Sequence, residues 1–274
     1  MPELPEVETC VRELRPRLIG RTLRRAWAAV PRQLGTQTPQ QLARAIKDQS
    51  VIAVERRGKY ILLRLERGML LVHLRMTGRL YVDATTTPPP DYARAGFTLD
   101  DGRESLYFRD VRTLGTLHYY RNADHVRELA GLGWEPLDVP VTPAQLKERL
   151  AARAQAIKVV LLDQNLYAGI GNIYASEACW VARIDPRTSA NRLSRAQCER
   201  LCAAVPDVLR TALDRGGSSL RDFMSPDGNY GSYQKEFRVY DRENEECLRC
   251  NGAISKIVQA QRSTYFCPKC QKKR

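Results

Sequence analysis

Cys247-Leu-Arg-Cys250 and Cys267-Pro-Lys-Cys270 bracket the run Ile254-Ser-Lys-Ile-Val-Gln-Ala-Gln-Arg262-Ser-Thr-Tyr-Phe266. Two C-x₂-C pairs at this separation are a zinc-site signature, because each pair bends into a knuckle that aims two thiolates at one point. The run between them is β-branched and aromatic at both ends and reads as a two-stranded hairpin. One zinc held by Cys247, Cys250, Cys267 and Cys270 has no open coordination position, so its expected role is structural. Arg249, Lys256, Arg262, Lys269, Lys272, Lys273 and Arg274 make the strip basic, and no acidic residue follows Glu246. A zinc clip accounts for the metal; the cations around it point to a nucleic-acid partner.

The whole chain repeats that bias. It has 44 Lys+Arg against 31 Asp+Glu, a formal charge of +13. Arginine predominates, and its planar fork suits phosphate. Arg12, Arg15, Arg17, Arg21, Arg24 and Arg25 cluster around the single Glu13, either as a phosphate-facing surface or as a solvated basic face. No apolar run reaches the roughly 20 residues of a membrane span. The first residues carry three Glu and no basic stretch, which is not a targeting sequence. Cys10, Cys179, Cys198 and Cys202 sit at helical positions and read as small buried apolar residues in a reducing cytoplasm.

Working outward, the periodicity changes once. Val7, Cys10, Val11, Leu14 and Leu18 mark one leading helix, with Pro16 expected to kink or end it. Short β-rich runs follow at 50–54, 60–65, 69–74, 80–82, 97–99, 105–108 and 114–119, with turn signals at Arg67-Gly68 and Asp101-Gly102. Residues 131–140 read as a linker. Beyond it, Thr142-Pro143 opens a helix and further helices are expected over 156–166, 172–182 and 194–215. The expectation is an α+β multidomain chain. Residues 1–130 form an N-terminal β-sandwich led by one helix, 141–235 a helical domain, and 236–274 the β-hairpin zinc finger.

Four further stretches acquire meaning together with the cysteine tail. Met1-Pro-Glu-Leu-Pro-Glu-Val-Glu8, Gly58-Lys59-Tyr60, His73-Leu-Arg-Met-Thr-Gly78, Asp163-Gln with Gly169-Ile-Gly-Asn-Ile-Tyr174, and the four-cysteine tail resemble the formamidopyrimidine-DNA glycosylase family in order and spacing, over almost the whole chain. The resemblance implies a base-excision-repair DNA glycosylase and AP lyase that removes oxidised purines, 8-oxoguanine opposite cytosine and formamidopyrimidines, from double-stranded DNA. It implies a monomer, in the bacterial cytoplasm with the nucleoid, and DNA lying between the two domains. Two rivals stand beside it: an endonuclease VIII-type glycosylase for oxidised pyrimidines, and a non-catalytic DNA-damage binder.

By the same resemblance Pro2, once Met1 is removed, is the nucleophile. An α-amino group with a pKa of roughly 7.7–8.0 is partly neutral at physiological pH, unlike lysine. Glu3 moves protons at the sugar, Lys59 assists β-elimination and Arg262 assists δ-elimination. On residues alone, Pro2 and Glu3 read equally as a helix lead-in, and Lys59 as a solvent-facing loop lysine. His73, Arg153, Lys158 and Asn172 are implied phosphate contacts, Asn172 at a glycine-led helix start in a helix–two-turn–helix element. A flipped nucleotide leaves a hole in the stack. Met76, Arg112 and Leu114 match the side chains that fill it, with Arg112 on the orphaned cytosine. Here Asp110-Val-Arg-Thr-Leu-Gly115 departs from the family's Asp-Pro-Arg-Arg-Phe-Gly, so Leu114 replaces an aromatic wedge. Glu6, Ser218, Leu220, Arg221, Asp222 and Phe223 are the implied lesion pocket, the last five in a capping loop over about 216–235.

Overall fold

A computed structural model describes residues 1–122, 126–219 and 224–272. The chain divides into two compact units, Met1–Ala130 with Gly216–Ser232, and Gly131–Arg215 with Tyr233–Arg274.

The first unit opens with α1 (Leu4–Leu18), where Pro5 sits in the first turn, a position at which its missing N–H costs nothing. Pro16 lies inside the last turn of the helix, which runs on only to Leu18. Leu4, Val7, Cys10, Val11, Leu14 and Leu18 are almost fully buried, each large apolar side chain contributing roughly 1.5–3 kcal/mol. They pack on an eight-stranded antiparallel array ordered β5-β7-β6-β1-β2-β3-β4-β8. These strands are β1 (Thr22–Ala28), β2 (Gln49–Arg57), β3 (Tyr60–Leu65), β4 (Met69–His73), β5 (Gly78–Ala84), β6 (Ala93–Leu99), β7 (Glu104–Asp110) and β8 (Thr116–Tyr120). β1 and β2 pair only at Thr22–Ser50 and Leu23–Gln49, which is where the array turns over to form the expected sandwich. α2 (Pro39–Ile46) and the single turn α3 (Arg127–Ala130) complete the unit.

Sequence patterning misses β1 because Arg24 and Arg25 interrupt its alternation at a register shift between Leu23 and Arg25. It misses α2 although Thr38 and Gln41 carry a full capping box. The arginine cluster at the start of the chain is mostly engaged in this unit. Arg12 pairs with Glu8, Arg17 with Glu104 and Asp227, Arg21 with Asp100 and Glu104, and Arg24 with Asp48, while Arg15 donates to the Val54 carbonyl. It braces the sandwich rather than forming an open phosphate-facing surface.

The second unit holds α4 (Pro143–Leu150), α5 (Ile157–Leu161), α6 (Asn172–Val181) and α7 (Arg195–Asp214), then the hairpin β9 (Ser255–Gln259) and β10 (Arg262–Phe266). α4 and α7 begin with the same Thr/Ser-x-x-Gln capping box. α5 stops at Leu161, short of the expected 166. Beyond it Asp163 accepts the Asn165 N–H, and Gln164 bonds Leu162, Gly169 and Ile170, holding the chain in turns. Rings of Tyr174, Tyr233, Phe237, Tyr240 and Tyr265 contact in series at 5.1–5.7 Å and tie α6 to the hairpin.

The segment 216–232 belongs to the first unit, not with the helices where sequence reading placed it. The reason is local bonding: Ser218 donates to Glu6, and the Ser225 and Pro226 carbonyls accept from Arg79.

Candidate functional site

Pro2 is buried directly ahead of α1, while Met1 is 42% exposed. The Glu3 N–H donates to Glu6 Oε2 at 2.8 Å, and both carboxylates are buried. Glu6 Oε1 accepts from the Ser218 N–H at 2.7 Å and its hydroxyl at 3.0 Å, so two expected pocket residues are in contact. Leu220, Arg221, Asp222 and Phe223 lie outside the described residues. Glu8 pairs with Arg56 at 2.9 Å and with Arg12, a bracing role.

Lys59 occupies the tip of the β2–β3 hairpin, where Arg57 pairs Tyr60 across Gly58 (φ +57). A hairpin-tip lysine is ordinarily solvated, but this one is only 6% exposed. It lies near His73, whose ring meets Tyr60 edge-on at 4.7 Å. Burial, then the Arg75 and Lys59 cations, drive the His73 pKa down to about 3. His73 Nδ1 accepts the Arg75 N–H at 3.0 Å, which puts the proton of the neutral ring on Nε2. His73 is therefore a neutral donor.

Met76, Arg112 and Leu114 are all exposed and flank one hub. Asp110, fully buried, accepts from the Thr77 hydroxyl at 2.5 Å through Oδ1, and from Gly115 N–H (2.7 Å) and Gln33 (3.0 Å) through Oδ2. Thr77 Oγ1 in turn accepts the Arg112 N–H at 3.1 Å. A Cβ on Gly115 would meet Phe108 at 2.6 Å, so only glycine closes this turn. Arg32 bonds the Thr113 hydroxyl. Sequence reading overlooked Asp110, Thr77 and Gln33. The available signal was a short acidic residue opening a turn that glycine closes.

In the second unit Arg153, bonded to Asp163, and Arg262, exposed at the hairpin turn, line one open depression of about 400 Å³. Lys158 is fully buried. Its ammonium donates to Asn172 Oδ1 and, at 3.4 Å, to the Ser263 carbonyl, which also accepts from Asn172 Nδ2 at 2.9 Å. It props the first residue of α6 against the hairpin, in place of the phosphate contact expected of it. Buried Glu177, also overlooked, accepts N–H bonds from Arg238, Val239 and Tyr240.

The sulfurs of Cys247, Cys250, Cys267 and Cys270 lie within 4.8 Å of one another. The Cys247–Cys270 and Cys250–Cys267 pairs stand at 3.9 and 3.5 Å. A tetrahedral zinc with bonds of about 2.3 Å needs sulfurs about 3.8 Å apart, so the set fits. Burial opposes ionising Cys247, yet the Arg249 amide and the Trp180 indole N–H, 3.4 Å from Sγ, bring its pKa down to about 6. That favours a thiolate at Cys247, while burial and the neighbouring sulfurs hold the Cys267 and Cys270 thiols up.

Three family descriptions match consecutive stretches: the formamidopyrimidine-DNA glycosylase N-terminal domain over 1–117, the H2TH domain of the same glycosylase over 132–224, and the zinc finger found in FPG and IleRS over 244–273. The formamidopyrimidine-DNA glycosylase of Symbiobacterium thermophilum is 44% identical over 99% of this chain and 89% of its own length. That of Bacillus subtilis is 38% identical over the full length of both. Among solved structures, a Lactococcus lactis FPG mutant in complex with Fapy-dG containing DNA superposes with a TM-score of 0.92 at 33% identity, covering 99% of this chain and 100% of that one. The MutM protein of Thermus thermophilus gives 0.88 at 39%, covering 100% of both.

Proposed function

This chain belongs to the formamidopyrimidine-DNA glycosylase family, as a base-excision-repair DNA glycosylase with AP lyase activity on oxidised purines, and we propose that Pro2 carries its chemistry. Removal of Met1 frees the Pro2 secondary amine. It attacks C1′ of the damaged nucleotide, forming the C–N bond as the base leaves, and the sugar ring opens to an iminium ion. The iminium acidifies C2′; loss of a C2′ proton breaks the C3′–O bond, and a second elimination breaks the C5′–O bond. Glu3, next in the chain, moves protons to and from the sugar oxygen. Lys59 donates a proton during β-elimination, and Arg262 stabilises the departing phosphate as a fixed cation.

Met76, Arg112 and Leu114 fill the space left by the flipped nucleotide, Arg112 donating to N3 and O2 of the orphaned cytosine. His73 donates to phosphate from Nε2, and Asn172 contacts phosphate from the start of α6. The four cysteines would hold one zinc that keeps the hairpin folded around Arg262. Glu6 and the segment from Ser218 to Phe223 receive the base. We place the enzyme, as a monomer, in the bacterial cytoplasm with the nucleoid.

The observation that carries this reading is the burial of Pro2 and Glu3 ahead of α1, a lead-in held in the interior where a bare helix start would be solvated. Borohydride trapping on 8-oxoguanine and thymine glycol duplexes, with peptide mapping, tests it. The expected adduct is on Pro2 and forms faster with 8-oxoguanine; an adduct on a lysine would overturn the assignment.

A further inference from the structure

Two stretches more than two hundred residues apart in sequence rest on opposite oxygens of one carboxylate. Glu6 Oε2 accepts the Glu3 N–H at 2.8 Å, while Oε1 accepts the Ser218 N–H at 2.7 Å and its hydroxyl at 3.0 Å. Glu6, Glu3 and Ser218 are 2, 3 and 4% exposed, so water does not substitute freely for these bonds. Gly217, at φ +79°, is pressed against the same group: a Cβ there would stand 2.8 Å from Oε1 and 2.9 Å from Cγ. A carboxylate tip could usually swing away, but this one is held from both sides.

We propose that Glu6 is a positioning residue, linking the seating of Gly217 and Ser218 to the aim of the Pro2 nitrogen. The proposal rests on Pro2 being the nucleophile. Its physical content is short. The peptide between Pro2 and Glu3 is planar, and the Glu6 bond fixes that plane through the Glu3 N–H. One torsion, ψ of Pro2, then separates the plane from the ring nitrogen. When Ser218 is seated, Glu6 is held and the plane with it. Loss of the Ser218 bonds loosens the Oε1 side of the carboxylate, and the aim of the nitrogen with it.

A carboxylate offers acceptors at both oxygens, whereas an amide offers one acceptor and one donor. Glu6→Gln keeps the shape but turns an NH₂ towards an N–H on one side. Gly217→Ala keeps the carboxylate and displaces it. The deciding substrate is a duplex containing an abasic site, which has no base to read. Single-turnover borohydride trapping should fall in both variants by roughly 10- to 100-fold, the scale expected for misplacing a reacting group by about an ångström. Affinity for the same duplex should be unchanged, and urea unfolding identifies any variant that is simply misfolded. Gly217→Ala then serves if Glu6→Gln does not fold. Trapping at the wild-type rate on abasic DNA, with only 8-oxoguanine excision slowed, would make Glu6 a contact to the base alone and overturn the proposal. So would a loss of affinity that accounts for all the lost trapping. A wild-type protein that forms no adduct at Pro2 would instead strike the nucleophile reading itself.

Discussion

At the scale of single residues, burial decides which cations can act as cations. His73 shows this most directly. Its ring is buried beside Arg75 and Lys59, with a pKa brought down to about 3 from an ordinary 6.5. The folded state thus refuses a proton that the unfolded chain accepts below pH 6.5. The stability this contributes is complete above pH 6.5 and is lost as pH falls towards 3. Urea unfolding of wild type and His73→Gln should therefore converge on acidification across that window, because the glutamine variant lacks the titration. A difference independent of pH would show that the ring is protonated in the fold. The same neutrality bears on DNA. Replacing His73 should weaken binding without changing the salt slope, since a neutral donor releases no counterion. Lys158 makes the complementary point. The sequence offers it as a cation for phosphate, and the fold buries it against Asn172 and Ser263.

At the scale of elements, the Asp110 turn and the cysteine hairpin each hang on one buried polar centre. Asp110→Ala leaves the donors of Thr77, Gly115 and Gln33 without their acceptor. Each orphaned buried donor costs about 1–3 kcal/mol. Urea unfolding should show a loss of at least that size, and the Arg112 turn should lose its preference for cytosine opposite the lesion. Full retention of both would mean that the turn is held elsewhere. In the hairpin, Cys250→Ala should remove metal and DNA affinity together, read by metal analysis and by DNA titration. Stoichiometric zinc with normal affinity in that variant would refute the four-sulfur site. These elements were unequally legible in sequence. The four cysteines, the α1 stripe and strands such as β3 and β4 obey a short-range period, so the pattern alone locates them. β1 does not, because Arg24 and Arg25 break its alternation at a register shift, and Arg24 bonds the Asp48 carboxylate and the Asp100 carbonyl, both distant in sequence. Strand β8 begins at Thr116 instead of 114 because Asp110 holds residues up to Gly115 in the turn. Motifs single out residues. Only tertiary pairing shows which are braced, buried or exposed, and it depends on partners far away in sequence.

At the scale of the whole molecule, a charge of +13 does not translate into thirteen phosphate contacts. Arg17, Arg21 and Arg24 are paired with Glu104, Asp227, Asp100 and Asp48. Arg187 is paired with Asp185, and Lys158 is buried. Among the proposed contacts the charged side chains are Lys59, Arg153 and Arg262; Lys59 is buried, and Arg153 must share itself with Asp163. Each neutralised phosphate contributes about −0.9 to the slope of log K against log salt for duplex DNA. Three such contacts give a slope near about −3, far shallower than the net charge would suggest. The expected result is a slope of that order, measured by equilibrium titration of an abasic duplex over a range of salt concentrations. Arg262→Ala should shallow it by about one unit, whereas Arg24→Ala should leave it unchanged, since its guanidinium already faces Asp48. A slope approaching −10 would mean that many braced arginines exchange their carboxylates for phosphates on binding. In that case Arg24→Ala would shallow the slope as much as Arg262→Ala does. The comparison of these two variants separates a surface that is merely basic from one in which a few placed cations meet the DNA backbone.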